Sequence, residues 1–370
     1  MKNIVSYAEE NLDSLAARPF CGVDSLILSW LSYYHLPPEV PSLHNWVGIP
    51  LRDLFRAETF PRLFRGVWDK ENSRRLLTAL AASPRFRDIR VMGFTEQTDP
   101  GREKQFAALT VRLAPNLTYV AFRGTDNSLV GWKEDFNMAF RHPVPSQTEA
   151  ARYLADAAAH CPGDLLVGGH SKGGNLAVYA AATVSPQIQA RIRKVYSHDG
   201  PGFLETFLQS LGFLAIASKI EKTLPQSSIV GLLLDHREDC QVVRSSRLSF
   251  LQHDPFSWVL EGTDFSYDQL TADAKYWDRI LDDWLRRLSE EERERFVEAL
   301  YSILTSVDIT DFAQFRDGWQ KNLPALMHAA ANLDPDTRTF LFRVIRELAS
   351  VGLHNVPEFF RAHPNLPAQK

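Results

Sequence analysis

The apolar positions of this chain change character along its length. Between residues 106 and 197, short apolar runs alternate with segments of helical periodicity. The runs 106–113 and 117–122, joined by a short turn, are typical of two antiparallel strands. The later runs 165–167 and 192–197 are separated by a helical pattern over 175–183. Strands that alternate with helices predict an α/β fold with a mostly parallel sheet and helices on its faces.

Helical patterns also occur outside this window. Residues 24–31, 70–82 and 147–160 have the periodicity of helices, whereas 35–66 is rich in Pro and aromatic residues and is expected to be irregular. From 265 to 352 the helical periodicity is nearly continuous. The change predicts an α/β domain over residues 1–264 and a helical region, 265–370, packed on it.

Composition narrows the functional classes. The 370 residues are 45% hydrophobic with a formal net charge of −4, which gives no electrostatic reason to expect nucleic acid and does not exclude lipid substrates. Cys21, Cys161 and Cys240 are too few and too widely spaced for a disulfide framework or a metal cluster. The N-terminus lacks the apolar region of a signal peptide, and no apolar run has the length of a membrane span. We therefore expect a cytoplasmic protein; its oligomeric state is not predicted.

One pentapeptide suggests chemistry. Gly169-His170-Ser171-Lys172-Gly173 is a G-x-S-x-G motif between the apolar run 165–167 and the helical pattern that follows. In that context the motif forms a tight strand-to-helix turn that presents the serine above a sheet, and its glycines avoid clashes of a Cβ with the folded-back backbone. The sequence therefore predicts Ser171 as a nucleophile. The Lys172 N–H and the helix dipole would stabilise an oxyanion there.

A serine nucleophile needs a base, and the usual order in such folds is Ser, then acid, then His. His253 lies in a loop ahead of the helical region, where the base is expected. His198 follows the strand 192–197 too early for this role, and His236 adjoins the candidate acids. The other downstream histidines lie in the helical region or the tail. We therefore predict His253 as the base.

The acid is less well defined by the residues alone. Asp235 ends the apolar run 229–234, as an acid at a strand terminus should, and Asp239 precedes a second β-rich run. Either could orient the base and stabilise its imidazolium form. Asp199 and Asp254 are less favoured, because Asp199 sits in a Gly-Pro-Gly turn after an earlier strand and Asp254 adjoins the histidine it would have to face.

These residues resemble two related families. Phe122-Arg123-Gly124-Thr125 followed by Trp132 and Asp135, together with the serine motif, resembles class 3 (fungal-type) lipases. The chain is more similar to the bacterial Mbeg1-like family of lipase-like proteins. The resemblance covers residues 20–262 and rests on four marks in the same order: Asp24-Ser25-Leu26, Gly-His-Ser-Lys-Gly-Gly-Asn-Leu-Ala, Asp199-Gly200-Pro201-Gly202 and Gln252-His253-Asp254-Pro255.

The resemblance implies an α/β-hydrolase fold and further site residues. Thr125 would share the oxyanion hole with the Lys172 amide, and Asp239 is favoured over Asp235 as the acid. Class 3 lipases have Leu after the nucleophile, so Lys172 is a departure. Its charge would act near the site, or it would form a salt bridge at the elbow. The segment Asn127–Phe140 matches the lipase lid, and its apolar pattern fits a lid, a pocket wall or a core helix.

The function expected from these observations is hydrolysis of a carboxylic ester or lipid-like substrate through an acyl-enzyme on Ser171. This mechanism requires neither a metal nor an organic cofactor. Two alternatives remain open: an acyltransferase, amidase or thioesterase that uses the same triad, and a non-catalytic scaffold that retains the fold.

Overall fold

An eight-stranded sheet forms the centre of the molecule. The computed structural model describes residues 1–126, 128–306, 328, 333–344 and 346. Along the sheet the strands follow one another in chain order: β1 (Ile49–Pro50), β2 (Arg90–Asp99), β3 (Lys104–Ala114), β4 (Leu117–Phe122), β5 (Asp164–His170), β6 (Ile192–His198), β7 (Ile220–Pro225) and β8 (Cys240–Val243).

The sheet has an antiparallel and a parallel half. Neighbouring strands from β1 to β4 pair antiparallel, and those from β4 to β8 pair parallel. The mostly parallel α/β sheet and the predicted antiparallel pair, now β3 and β4, are therefore confirmed. Parallel strands present their carboxyl ends at one edge, which is where ligands bind in open α/β sheets. The ends of β4, β5 and β6 meet at that edge.

Helices cover both faces of the sheet. They are α1 (Ile4–Glu10), α2 (Gly22–Leu31), α3 (Phe60–Leu63), α4 (Lys70–Ala82), α5 (Leu129–Asn137), α6 (Pro145–His160), α7 (Lys172–Thr183), α8 (Pro186–Arg191), α9 (Glu205–Leu208), α10 (Leu211–Ile216), α11 (Ala272–Arg287) and α12 (Glu290–Ser306). A two-stranded ribbon, β9 (Leu260–Glu261) and β10 (Asp264–Phe265), lies outside the main sheet.

Alternation along the strands builds two cores. On β4, Tyr119 and Ala121 face a core that includes α1, α2 and α4, whereas Val120 and Phe122 face a second core with α6, α7 and α10. Side chains of a strand point to opposite faces in turn, so a strand buried on both sides is apolar at nearly every position. Because both faces of β4 and β5 are packed against helices, the two strands are held in place. The residues at their ends are therefore held in place as well.

Local sequence sets the helix boundaries. The Asp69 side chain accepts from the Asn72 N–H at 3.0 Å and caps α4, which ends before Ser83-Pro84 as predicted. The region 35–66 is largely irregular, with short helical turns, as expected. None of the helices in the described ranges combines the length and apolarity of a bilayer crossing.

The predicted C-terminal helices are present as α11 and α12, although the first of them begins at Ala272 and not at 265, where β10 ends. Most of the predicted helical stretch from 307 to 352 lies outside the described residues. Helix α12 packs against α5, where Lys133 lies 2.8 Å from Glu298. Arg293 of α12 also donates to the Ala139 carbonyl at 2.9 Å. Helix α12 therefore contacts the helix that follows β4, at the edge of the sheet where the parallel strands end.

Candidate active site

A strained turn presents Ser171 at the carboxyl end of β5. The residue has φ 59° and ψ −134°, between the end of the strand at His170 and the start of α7 at Lys172. Residues with side chains rarely adopt this conformation, and it persists only where the surroundings enforce it. Here the Ser171 N–H donates to the His198 carbonyl of β6 at 2.9 Å. The geometry is that of a nucleophile elbow.

Close backbone contacts explain the glycines of the motif. A Cβ on Gly169 would lie 2.2 Å from the Gly173 backbone, and a Cβ on Gly173 would lie 2.1 Å from the Phe122 carbonyl oxygen. Real Cβ atoms do not approach so closely, so only glycine allows the strand, the turn and α7 to pack together. The predicted elbow residues are thus placed as the motif requires.

His253 lies beside the elbow. It ends a short 3-10 turn, Ser249–His253, and its ring centroid is 4.6 Å from that of His170, the neighbour of Ser171. Its Nδ1 is 2.6 Å from Oδ2 of Asp199. About 30% of the His253 side chain remains exposed. With Nδ1 engaged by a carboxylate, Nε2 is the nitrogen left for a proton-transfer partner.

Asp199 is the carboxylate partner of His253. It follows β6 directly, and β6 pairs with β5 in parallel, so its side chain starts next to the elbow. The side chain is 1% exposed. It also accepts from the Ser228 hydroxyl at 2.5 Å and from the Gly231 N–H at 3.2 Å. These donors fix the orientation of the carboxylate toward the imidazole.

The sequence predicted Asp239 or Asp235 as the acid, but the carboxylate that the structure places against His253 is that of Asp199. The run 229–234 is not a strand but contains a 3-10 turn, Val230–Leu232, so Asp235 does not end a strand beside β5. Asp235 instead pairs with Arg286 at 3.2 Å. Asp239 is exposed and precedes β8, at the far end of the parallel half of the sheet.

His170 connects the elbow to the loop that carries His253. Its Nε2 lies 2.9 Å from the His253 carbonyl oxygen, and its Nδ1 lies 3.1 Å from the Tyr33 hydroxyl. A carbonyl only accepts, so Nε2 bears the proton, and the Tyr33 hydroxyl has both the unprotonated Nδ1 and the His170 carbonyl oxygen, at 3.2 Å, as acceptors. Burial, with the nearby His253 as a smaller cause, holds the pKa of His170 well below its usual value. A neutral His170 thus fixes the backbone of His253.

His198 and its hydrogen-bond partners form a buried polar cluster next to the elbow. His198 Nδ1 lies 2.7 Å from the Thr223 hydroxyl and its Nε2 lies 2.9 Å from the Ser25 hydroxyl. Burial lowers the pKa of His198 to about 3. The same residue accepts the Ser171 N–H through its carbonyl. The sequence analysis considered His198 only as a base and rejected it; a histidine at the end of a strand close to the serine motif was the available signal.

Thr125 lies next to the elbow, as the resemblance implied. A Cβ built on the preceding Gly124 would be 3.0 Å from the Ser171 Cβ, so the two segments are in contact. The Thr125 hydroxyl donates to Asp135 Oδ2 at 2.5 Å. Burial raises the pKa of Asp135 to about 6, against the opposing effects of the Lys172 charge and this hydrogen bond.

The Lys172 side chain turns away from the open side of the site. It is 1% exposed, and its Nζ lies 3.0 Å from Glu134 Oε2 on α5. Of the two expectations for this lysine, the salt bridge at the elbow is the one observed. The predicted lid segment forms α5 and the turn after it; Asn127 lies outside the described residues.

Comparison with known proteins follows this geometry. The sequence model of the Mbeg1-like family matches residues 80–302. No curated protein matches the chain. Solved structures that are weakly similar to the chain include fungal lipases. Rhizomucor miehei lipase in its native propeptide complex has 16% identity and a TM-score of 0.33, over 57% of this chain and 70% of that chain. The Rhizopus microsporus var. chinensis lipase has 16% identity and a TM-score of 0.33, over 60% and 78%.

The similarity extends over part of these lipases only. A deletion mutant of Rhizomucor miehei lipase in its propeptide complex has 16% identity and a TM-score of 0.34, over 46% of this chain and 58% of that chain. The chain therefore spans less than two thirds of that lipase. A likeness this weak in both sequence and structure establishes neither the fold nor the function of this chain.

Proposed function

Since this chain belongs to the Mbeg1-like family, we propose that it is a serine hydrolase that cleaves carboxylic esters through an acyl-enzyme on Ser171. One observation carries the proposal. The strained Ser171 directly follows His170, whose ring centroid lies 4.6 Å from that of His253, and the Nδ1 of His253 is 2.6 Å from a buried carboxylate, Asp199. A hydroxyl at an elbow, a histidine and an orienting acid are the three parts that activate a serine nucleophile.

The reaction starts with proton transfer. His253 Nε2 takes the Ser171 proton as the hydroxyl oxygen attacks the ester carbonyl, and the imidazolium then donates that proton to the leaving alcohol. Asp199 holds the tautomer with the proton on Nδ1 and stabilises the imidazolium. A water molecule, activated by the same histidine, then releases the acyl group from Ser171.

The oxyanion is stabilised by backbone donors. Lys172 is the first residue of α7, so its N–H has no partner within the helix, and the positive end of the helix dipole adds to it. The Thr125 N–H is the second donor, and the hydroxyl of the same residue is hydrogen-bonded to Asp135. Each such donor is worth about 2.7–4 kcal/mol in the transition state.

Ester turnover tests the proposal. A panel of p-nitrophenyl esters of increasing acyl length is hydrolysed by the wild-type protein, and the folded Ser171→Ala variant loses that turnover by at least about 10³-fold. Hydrolysis that survives in Ser171→Ala, or its absence in folded wild-type protein over the whole panel, contradicts the proposal. Added alcohols and amines with product analysis distinguish hydrolysis from acyl transfer, since transfer yields new esters or amides.

A further inference from the structure

We infer that the ammonium group of Lys172 is a positioning device for the oxyanion hole, which sets the distance between its two donor segments. The inference rests on the proposed function and deepens it. It concerns the lysine side chain, whereas the proposed chemistry uses only the lysine backbone N–H.

All three protons of the ammonium have an acceptor inside the protein. Nζ lies 2.9 Å from the Gln105 carbonyl oxygen, 3.0 Å from Gln105 Oε1 and 3.0 Å from Glu134 Oε2. A lysine has three donors and no acceptor, so this set uses its capacity fully. With 1% of the side chain exposed, the group has neither a free proton nor an open path for an anionic substrate. Its role is therefore internal.

Glu134, a residue of α5, links Lys172 to that helix. Its Oε2 also accepts from the Gln105 N–H at 3.0 Å, and its Oε1 accepts from the Ser146 N–H at 2.8 Å. The Glu134 side chain is 0% exposed. One buried carboxylate thus ties α5 to β3, to the start of α6 and to Lys172. Because each partner is rigid backbone or a buried cation, α5 has little freedom to shift.

The next residue of α5 reaches the other oxyanion donor. Asp135 accepts from the Thr125 hydroxyl at 2.5 Å, and its Oδ1 lies 3.8 Å from Lys172 Nζ. A Cβ on Gly131 of the same helix would be 2.8 Å from Thr125 Cγ2, so the helix and the Thr125 segment are in direct contact. Lys172 therefore acts in two ways. Its backbone N–H donates to the oxyanion, and its ammonium group, through Glu134 and Asp135, positions Thr125.

The geometry makes a specific kinetic prediction. Oxyanion donors act mainly in the transition state, so a displaced Thr125 lowers kcat and leaves KM nearly unchanged. Lys172→Met keeps the backbone N–H and the length of the side chain but removes the ammonium. We expect kcat on a p-nitrophenyl ester to fall at least about 10-fold with KM within about threefold. A boronic acid, which forms a tetrahedral adduct on the serine, should bind weaker by a similar factor.

Two further variants keep the test decisive. Glu134→Gln removes the negative charge of the Lys172–Glu134 ion pair. If Lys172→Met does not fold, Glu134→Gln is the variant that tests the inference. The double variant should lose no more kcat than the worse single variant, because both changes remove one link. Lys222→Met is the matched control: Lys222 is also 1% exposed and pairs with Glu238 at 3.6 Å, away from the oxyanion segment. It should keep kcat within about twofold of wild type.

The outcomes separate the inference from the proposed function. Folded Lys172→Met or Glu134→Gln with wild-type kcat and boronic acid affinity, beside an active wild-type protein, overturns the inference alone. An equal loss of kcat in Lys222→Met also overturns it, because the effect would then be general destabilisation. A folded wild-type protein without ester turnover refutes the proposed function itself.

Discussion

At the scale of single residues, the proposed catalytic acid, Asp199, gives a direct test. Asp199→Asn removes the charge that orients His253 and stabilises its cation, so we predict a fall in kcat of about 10³–10⁴-fold, the scale of triad acid neutralisation. Asp239→Asn is the control, because Asp239 is exposed and precedes the outermost parallel strand. Its kcat should stay within about twofold of wild type. The reverse ranking in ester kinetics would restore Asp239 as the acid.

Asp135 gives a prediction about stability and pH. Its folded pKa is about 6 against an ordinary 3.8, so the folded protein binds more protons than the unfolded chain between these values. The stabilising contribution of the protonated carboxyl is complete below about pH 4 and is lost as the pH rises through 6. Relative to Asp135→Asn, wild type should lose about 1–3 kcal/mol of unfolding free energy between pH 4 and 7.

Denaturant titrations of wild type and Asp135→Asn at several pH values check this. A constant difference in unfolding free energy between the two proteins from pH 4 to 7 would contradict the raised pKa. The substitution removes only the ionisation, since asparagine has a similar shape and can still accept from the Thr125 hydroxyl.

The residue scale also shows what sequence reasoning could reach. The motif placed Ser171, the loop position favoured His253, and family resemblance suggested Thr125. Asp199 was missed because its turn follows an earlier strand than the acid was expected to follow. However, β6 pairs directly with β5, so the strand that comes next after the nucleophile ends beside Ser171. Which strands neighbour each other is a long-range property that local pattern does not specify.

At the scale of secondary structure, strain in the elbow has a measurable consequence. Ser171 holds φ 59° and ψ −134°, a conformation that costs a residue with a Cβ about 1–3 kcal/mol, and glycine much less. We therefore predict that Ser171→Gly is more stable than Ser171→Ala by about 1 kcal/mol, after allowance for the chain entropy of glycine. Urea denaturation of the two inactive variants measures the difference. An equal or greater stability of the alanine variant would contradict the strain.

The contact between α5 and α12 supports a second prediction at this scale. Lys133 is 8% exposed and lies 2.7 Å from Glu103, 2.8 Å from Glu298 and 4.5 Å from the centre of the Tyr301 ring. Lys133→Met leaves these partners without their cation and should lower the unfolding free energy by about 1–2 kcal/mol.

Arg141→Met is the matched comparison, since Arg141 is well exposed and pairs with the exposed α12 residue Glu294 at 3.2 Å and, like Lys133, with Glu103, at 3.4 Å. Exposed pairs contribute little, so the loss should remain below about 0.5 kcal/mol. Equal losses in denaturant titration would mean that burial of Lys133 does not strengthen its ion pairs. The contact also supports our proposal that the region after residue 264 packs on an α/β domain formed by residues 1–264.

At the scale of the whole molecule, the class of fold followed from the sequence and the detail did not. Strands with apolar residues at nearly every position, such as β4, were predictable because both of their faces are buried. Strand β2 was not predicted, because all residues of its second half, 95–99, are polar and at least partly exposed. The turn at 230–232 was mistaken for a strand end, since a short apolar run does not reveal its backbone conformation.

The central claim is that one serine of the whole chain is activated by one histidine. The most direct measurement is covalent modification of the folded protein by a fluorophosphonate, with the adduct located by peptide mass spectrometry. We predict a single adduct, on Ser171, formed at least about 100-fold more slowly in His253→Gln. An unmodified folded protein, an adduct on another residue, or an unchanged rate in His253→Gln would contradict the account.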